Sequence, residues 1–431
     1  MKIIKYPSND SWARLMSRPY SENTEVKKTV DKIISTVIEK GDQALLNYAA
    51  KFDDSPEMKQ VKVSQEKVES AEEKVDQDLK NAIQLAAKNI KKYHQTDKPT
   101  GSQTTTSPGV KCWSRRVPID KVGLYVPGGS APLFSSVLML GIPAKIAGNR
   151  EIIVSTPPKN GEINPIILYT ADLIGIDKIY KVGGAQAIAA MALGTESIAK
   201  VDKVFGPGNQ YVTEAKKILS QEEIAIDMPA GPSEVLVISD ESADPAFAAA
   251  DLLSQAEHGP DSQVICVTDS ENMAQQIQKK VETQVQELPK QNIAEQSLKN
   301  SRIIVLGSIE ESMRFSNQYG PEHLIIMTKN AEEQAKDVRN AGSVFLGDYS
   351  PESAGDYCSG TNHVLPTGGW TSSYSCLSVD DFMKKISFQK LSQEGIGNIG
   401  PAVEKMAQAE ELIAHKKGVT LRLQKIKNEN N

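Results

Sequence analysis

Cysteine is scarce in this sequence, and its four copies lie far apart without a C-x-x-C spacing (Cys112, Cys266, Cys358 and Cys376). Small secreted domains that depend on disulfides carry many more cysteines, and thiolate zinc sites need paired spacings. We therefore expect reduced thiols, with neither a disulfide framework nor a cysteine metal site.

Long apolar runs are also missing. The longest, 133–144, is too short to cross a bilayer, and residues 1–7 lack the apolar stretch of a signal peptide. We therefore expect a cytoplasmic protein that does not enter a membrane.

Neither sign of charge is in large excess, since 49 Lys and Arg residues stand against 55 Asp and Glu residues, a formal net charge of -6. Surfaces that bind nucleic acids or anionic membranes usually carry an excess of positive charge. The balance favours a small-molecule partner and disfavours nucleic acid.

What the sequence does contain is a regular alternation of strand-like and helical segments. A helical stretch (25–95) and a polar loop (96–109) come first. Two sets of short apolar runs follow, separated by helical segments: 122–126, 151–155, 178–182 and 201–205, then 235–238, 264–267, 303–306, 324–327 and 344–346. This alternation predicts two α/β lobes with parallel sheets, joined near 230–232, because 431 residues exceed what one core usually supports. Beyond residue 370 the strand signals fade, and 400–415 predicts a tail helix.

Four of the five histidines fall in segments that could carry chemistry. Gln255 and His258 are three residues apart at the end of a predicted helix, so their side chains share one face and could be metal ligands. A histidine at that position can instead cap the last carbonyl groups. Glu322 and His323 are adjacent at the mouth of a predicted strand, where they suit general acid/base work unless they form a solvated turn.

The remaining candidates lie toward the end of the chain. A long Gly, Ser, Asp and Asn segment over 342–369 contains Asp356 and His363, an oxygen and a nitrogen donor, and loops of this length are often functional. Cys358 lies between them, but nothing nearby marks it as an activated thiol. Glu410 and His415 on the tail helix would alone be taken for a charged helix face.

Three glycine-rich turns follow neighbouring predicted strands of the first set, at Tyr125-Val-Pro-Gly-Gly129, Gly183-Gly184-Ala-Gln186 and Gly206-Pro-Gly208-Asn209. Such turns leave room for a ligand against the backbone, although each could be an ordinary strand-to-helix turn. The G-x-G-x-x-G match over 395–400 lacks a following βαβ unit, so we reject it as a dinucleotide fingerprint.

Taken in order, these segments resemble the histidinol dehydrogenase family over about 116–423. The similarity rests on the following motifs: Gly-Leu-Tyr125-Val-Pro-Gly-Gly, Gly-Gly-Ala-Gln186-Ala, Gly-Pro-Gly-Asn209, Asp227-Met-Pro-Ala-Gly-Pro-Ser233-Glu, Gln255-Ala-Glu-His258, Gly-Pro-Glu322-His323-Leu, Gly-Asp356-Tyr and Ser-Gly-Thr-Asn-His363-Val-Leu-Pro-Thr. The first hundred residues match only weakly.

The resemblance implies an NAD-dependent oxidation of L-histidinol to L-histidinal and then to L-histidine. Glu322 and His323 would be the acid/base pair. Zinc would be bound by Gln255, His258, Asp356 and His415, and NAD by Tyr125, Gln186 and Asn209. The substrate would be bound by Ser233, His363 and Glu410, together with His323 and the four zinc ligands. A zinc site built from nitrogen and oxygen donors leaves room for substrate atoms.

The implied fold is two related Rossmann-like α/β lobes with small helical terminal elements, in a homodimer that exchanges tails and shares its active sites. We divide the chain into an N-terminal helical arm (1–22), a first lobe with the metal and acid/base residues (23–124 and 233–377), a second lobe on the NAD side (125–232) and an exchanged helical tail (378–431).

Three other functions remain open from the sequence. A relative could oxidise another small alcohol, but the presence of Ser233, His363 and Glu410 together argues for histidinol. A metallohydrolase would have no use for NAD. A non-catalytic metal scaffold would not need the acid/base pair.

Overall fold

Two parallel sheets and one small antiparallel sheet organise the molecule in a computed structural model, which describes residues 1–19, 24–128, 132–228 and 231–429. The strands are β1 (Lys2–Lys5), β2 (Gln103–Ser107), β3 (Val110–Pro118), β4 (Lys121–Tyr125), β5 (Glu151–Thr156), β6 (Lys178–Lys181), β7 (Lys203–Phe205), β8 (Ala225–Ile226), β9 (Glu234–Ser239), β10 (Gln263–Thr268), β11 (Arg302–Val305), β12 (His323–Met327), β13 (Ser343–Leu346) and β14 (Met383–Leu391).

Helices cover the faces of these sheets. They are α1 (Trp12–Leu15), α2 (Thr24–Lys40), α3 (Asp42–Phe52), α4 (Gln65–Glu69), α5 (Gln77–Thr96), α6 (Phe134–Ala147), α7 (Pro165–Leu173), α8 (Gly184–Leu193), α9 (Gln210–Leu219), α10 (Pro245–Ala256), α11 (Glu271–Gln284), α12 (Gln291–Lys299), α13 (Ile309–Tyr319), α14 (Ala331–Gln334), α15 (Glu352–Tyr357), α16 (Gln393–Ala409) and α17 (Ile413–Glu429). In the described part of the chain, none of them combines the length and the apolarity that a bilayer crossing requires.

The two parallel sheets confirm the predicted pair of α/β lobes. The five-stranded sheet has the order β6-β5-β4-β7-β8, and the six-stranded sheet has the order β1-β11-β10-β9-β12-β13. Strands such as β9 are buried along their whole length, as expected for a parallel sheet with helices on both faces. Local signals set the helix starts: Asp244 accepts a hydrogen bond from the Ala246 N–H at the start of α10, and Pro245 fills the first helical position.

The N-terminal third of the chain does not follow the predicted division. Residues 2–5, assigned to a helical arm, form the edge strand β1 beside β11, and four residues are too few to show a periodicity. Helix α2, assigned to the lobe of the six-stranded sheet, packs instead on α8 and α9, and α5 packs on α6. Strand β4 also pairs within the five-stranded sheet. The apolar stripes of α2 and α5 are compatible with either lobe, so only packing could decide.

The terminal elements differ from the prediction as well. The polar segment 96–109 is not only a loop, because it contains β2, and 378–431 is not purely helical, because β14 pairs with β3 in the antiparallel sheet β14-β3-β2. The side chains of β2 are mostly exposed, which explains its polar sequence. The predicted helix over 400–415 is two helices, which break at Glu411, where φ is 60°. The rejected glycine motif over 395–400 lies inside α16, which begins directly after β14, and the described elements that follow contain no further strand of a βαβ unit.

Candidate functional site

Glu322 and His323 lie at the amino-terminal end of β12. Helix α13 ends at Tyr319, Gly320 adopts a left-handed conformation with φ of 60°, and the chain then turns into the strand. Both residues are buried, with 7% and 3% of their surface exposed, so this segment is not a solvated turn.

The backbone of Glu234, the first residue of the neighbouring strand β9, contacts both members of the pair. Its N–H donates to Glu322 Oε2 at 2.8 Å, and its carbonyl oxygen lies 3.2 Å from His323 Nδ1. A carbonyl oxygen can only accept, so His323 carries its proton on Nδ1 in this contact. In the neutral ring, Nε2 is then left with a free lone pair.

Two carboxylates approach the His323 ring from α15. Asp356 Oδ1 lies 3.6 Å from His323 Nε2, and one donor atom from each of His323, Glu352 and Asp356 lies within 4.8 Å of the others. Gln255, near the end of α10, lies beside them, with its Nε2 at 2.6 Å from Glu352 Oε1 and 3.0 Å from His323 Nδ1. Because Nδ1 carries a proton, the Gln255 amide donates to Glu352.

Burial and mutual charge shift the pKa values of this group. Burial raises the pKa of Glu322 and of Glu352 to about 8 each, against the opposing effect of His323. Burial alone would lower the pKa of His323, but Glu352, Glu322 and Asp356 outweigh it and raise the pKa to about 10. Burial would likewise raise the pKa of Asp356, yet His323 holds it below its ordinary value. Such opposed shifts are typical of functional sites.

The donor set fits a metal ion. Gln255 Oε1, Glu352 Oε2 and His323 Nε2 are buried polar atoms without a hydrogen-bond partner among the described residues. Native structures rarely leave such atoms unsatisfied, so they point to a missing ligand. His258 lies two residues beyond α10, and part of its surface is exposed. Desolvation by the surrounding protein lowers the pKa of its imidazole, and the charge of Asp356 opposes this shift, so Asp356 is close enough to interact with it electrostatically.

The structure brings two of the predicted substrate residues to the same region. His363 Nδ1 lies 3.0 Å from the carbonyl oxygen of Asp356, and its Nε2 lies 3.5 Å from Ser136 Oγ. Ser233 directly precedes Glu234 at the start of β9. Glu410 and His415 are not brought there within one chain: they lie exposed at the end of α16 and in the first turn of α17.

The predicted NAD residues lie at or after the carboxyl ends of three strands of the five-stranded sheet. The Tyr125 hydroxyl, at the end of β4, accepts a hydrogen bond from the Gly184 N–H at 3.0 Å, and Gln186 is buried in the first turn of α8. Asn209 caps α9 by accepting from the Tyr211 and Val212 N–H groups. A Cβ atom on Gly206, whose φ is 119°, would lie 2.1 Å from the Tyr125 carbonyl oxygen, so this close approach requires glycine. Gly129 lies outside the described residues.

The sequence analysis missed Glu352 and Glu234. Glu352 is four residues before Asp356, so the two share one face of α15, and that spacing could have revealed it. Glu234 lay inside a quoted motif, but its contacts with the acid/base pair are made by its backbone and carry no sequence signal.

Comparison with known proteins points to one family. A family model described as histidinol dehydrogenase matches residues 16–423. Histidinol dehydrogenase from Bacteroides thetaiotaomicron is 53% identical over 428 residues, covering 99% of this chain and 100% of that protein. The Escherichia coli K12 protein of the same name is 51% identical over 417 residues, covering 96% and 95%. A crystal structure of histidinol dehydrogenase from Elizabethkingia anophelis has a TM-score of 0.97 and 52% identity, with 99% of each chain covered.

Proposed function

Because the chain belongs to the histidinol dehydrogenase family, we propose that it oxidises L-histidinol to L-histidinal and then to L-histidine, with zinc and two molecules of NAD, in histidine biosynthesis. The observation that carries this proposal is the buried pair Glu322 and His323, set among donor atoms that lack partners. NAD supplies the hydride acceptor.

Zinc would be held by Gln255, His258 and Asp356 of one chain and by His415 of a second copy. Amide and carboxylate oxygens with imidazole nitrogens form a suitable zinc ligand set, and Gln255 Oε1 is buried without a partner. When bound there, zinc would offset the carboxylates around His323 and polarise the substrate oxygen.

His323 is the base for the alcohol proton. Its Nδ1–H points to the Glu234 carbonyl oxygen, which fixes the ring and leaves Nε2 as the proton acceptor. Nε2 acts only when the imidazole is neutral, and a cation near Asp356 would favour that form by lowering the pKa of His323.

Glu322 is the base that activates water for the aldehyde. Its Oε2 is fixed by the Glu234 N–H, and burial raises its pKa to about 8. A carboxylate of that basicity takes a proton from water more readily than an exposed glutamate does. Ser233, His363 and Glu410 would hold the amino alcohol, since hydroxyl, imidazole and carboxylate groups match its polar atoms.

A second copy of the chain would complete the site. Helices α16 and α17 pack on each other, and α17 has no buried residue in the single chain. Exposed apolar side chains lie along this hairpin: Met406, Leu412, Ile413 and Leu421. Docking on a partner would bury them and would bring Glu410 and His415 to the other residues.

The stoichiometry of NADH tests the reaction. With histidinol in limiting amount, we expect two NADH per histidinol and little free aldehyde, because one site holds the intermediate for both oxidations. A ratio near one, with histidinal captured by an added amine reagent, would contradict the proposal.

Mixed dimers test the sharing of sites. His258→Asn and His415→Asn homodimers should each be inactive, but refolding them together should restore about a quarter of wild-type activity, because half of the dimers then contain one intact site. If each site were built within one chain, every site would carry a lesion and no activity would return.

A further inference from the structure

Both acid/base residues are held by the backbone of one residue, Glu234. Its N–H holds Glu322 Oε2 at 2.8 Å and its carbonyl holds His323 Nδ1 at 3.2 Å. A shift of this residue would therefore move both catalytic side chains together. The contacts that hold Glu234 in place therefore also determine the alignment of Glu322 and His323.

The Glu234 side chain is a buried carboxylate with three hydrogen bonds. Arg18 Nε donates to its Oε1 at 2.6 Å and Arg18 Nη2 to its Oε2 at 2.9 Å, while the Gly368 N–H donates to Oε1 at 2.7 Å. Only 3% of the Glu234 side chain is exposed, against 21% for Arg18. A two-point contact of this kind restrains orientation as well as distance.

Arg18 is tied at the same time to the segment that carries the pair. Its Nη2 also donates to the Tyr319 carbonyl oxygen at 2.9 Å, and its guanidinium lies 4.0 Å from the centre of the Tyr319 ring. Tyr319 is the last residue of α13, three residues before Glu322. One guanidinium thus joins the start of β9 to the turn that leads into β12.

We propose that Arg18 and Glu234 are positioning residues for the acid/base pair, acting through the backbone N–H and carbonyl groups of Glu234. This proposal rests on the assignment of Glu322 and His323 made above. Arginine suits this position better than lysine would, because its planar guanidinium group makes several hydrogen bonds in fixed directions, whereas the ammonium group of lysine acts as a point charge.

The test compares Arg18→Gln, Arg18→Lys and Glu234→Gln with the control Arg14→Gln, an exposed arginine on the neighbouring helix α1. Because displacements near 1 Å can cost about a hundredfold in rate, we expect kcat to fall about 10- to 100-fold in Arg18→Gln and Glu234→Gln. Arg18→Lys should be intermediate. The KM values for histidinol and NAD should stay within about threefold, since neither residue is among those proposed to bind the ligands. Bound zinc should be unchanged, and the control should match the wild type.

The double variant and crystal structures separate alignment from simple loss of stability. Arg18→Gln combined with Glu234→Gln should be no slower than either single variant, because both remove one ion pair. Crystal structures of the single variants should show Glu322 and His323 displaced from their wild-type positions. This readout holds even if the wild type does not oxidise histidinol, so it separates the failure of this proposal from that of the proposed function.

Any of the following outcomes would overturn the proposal: unchanged kcat in folded variants, losses that follow only the fraction of folded or zinc-loaded protein, or an undisplaced pair in the crystal structures. If even Arg18→Lys did not fold, the ion pair would be purely structural, which also overturns it.

Discussion

The two lobes share one architecture, but their candidate site residues lie at opposite ends of the two sheets. In the five-stranded lobe, Tyr125, Gln186 and Asn209 lie at the carboxyl ends of β4, β6 and β7, the usual ligand edge of such sheets. In the six-stranded lobe, the buried acid/base pair lies at the amino ends of β9 and β12. The same fold therefore does not determine which edge becomes the site.

The crossover helix α10 brings a further candidate residue to the amino edge of the six-stranded sheet. Helix α10 leaves the carboxyl end of β9 and returns to the start of β10, so its last turn, with Gln255, lies at the amino edge beside His323. The opposite edge of the same sheet carries Asp240, Glu241 and Asp269. Burial and then repulsion from these neighbours raise the pKa of Asp269, and a group of this charge would repel a cofactor phosphate.

We expect the largest effect when one residue is substituted at each edge of the six-stranded sheet and the two variants are compared. His323→Asn should reduce kcat by about a thousandfold, because it removes the base at the amino edge. The matched control, Asp269→Asn at the carboxyl edge of the same lobe, should leave kcat and both KM values unchanged. Steady-state rates of NADH formation check both, and a large loss in the control would place the chemistry at the other edge.

Within the amino edge, Glu322→Gln should separate the two oxidations. Histidinal oxidation should fall by about a hundredfold and the first oxidation by less, because water activation needs the carboxylate. The pKa of Glu322 is raised to about 8, so the carboxylate form increases as the pH rises through that value. The wild-type rate with histidinal should rise over the same range, and that rise should disappear in the variant. A variant that oxidises histidinal normally while histidinol oxidation collapses would mean that the two roles are exchanged.

The smallest expected effect compares corresponding helix caps in the two lobes. Asn209 caps α9 and Asp244 caps α10, so Asn209→Ala and Asp244→Ala should each cost about 1 kcal/mol of stability in a denaturant titration. Only Asn209→Ala should also raise the KM for NAD, by about tenfold, because that cap lies at the proposed cofactor edge. Equal KM values in the two variants would leave Asn209 with a capping role alone.

The sequence by itself determined the elements that local patterns encode. Apolar runs of three to five residues located β4–β7 and β9–β13, because parallel strands buried on both faces are mostly apolar. Side chains in motifs also identified most candidate site residues, since Gln255, His323, Asp356 and His363 do gather in one region.

Only the tertiary structure decided how these elements meet. An apolar stripe on a helix shows that one face is buried but does not show which element covers it. The packing of α2 on α8 and α9 could therefore not be derived from the stripe itself. The short edge strand β1 and the exposed strands β2 and β14 lack a burial pattern because much of their surface stays in solvent. The contacts of Glu234 with the acid/base pair are made by its backbone N–H and carbonyl groups, and every residue but proline carries both. Its side-chain ion pair with Arg18 joins residues 216 positions apart.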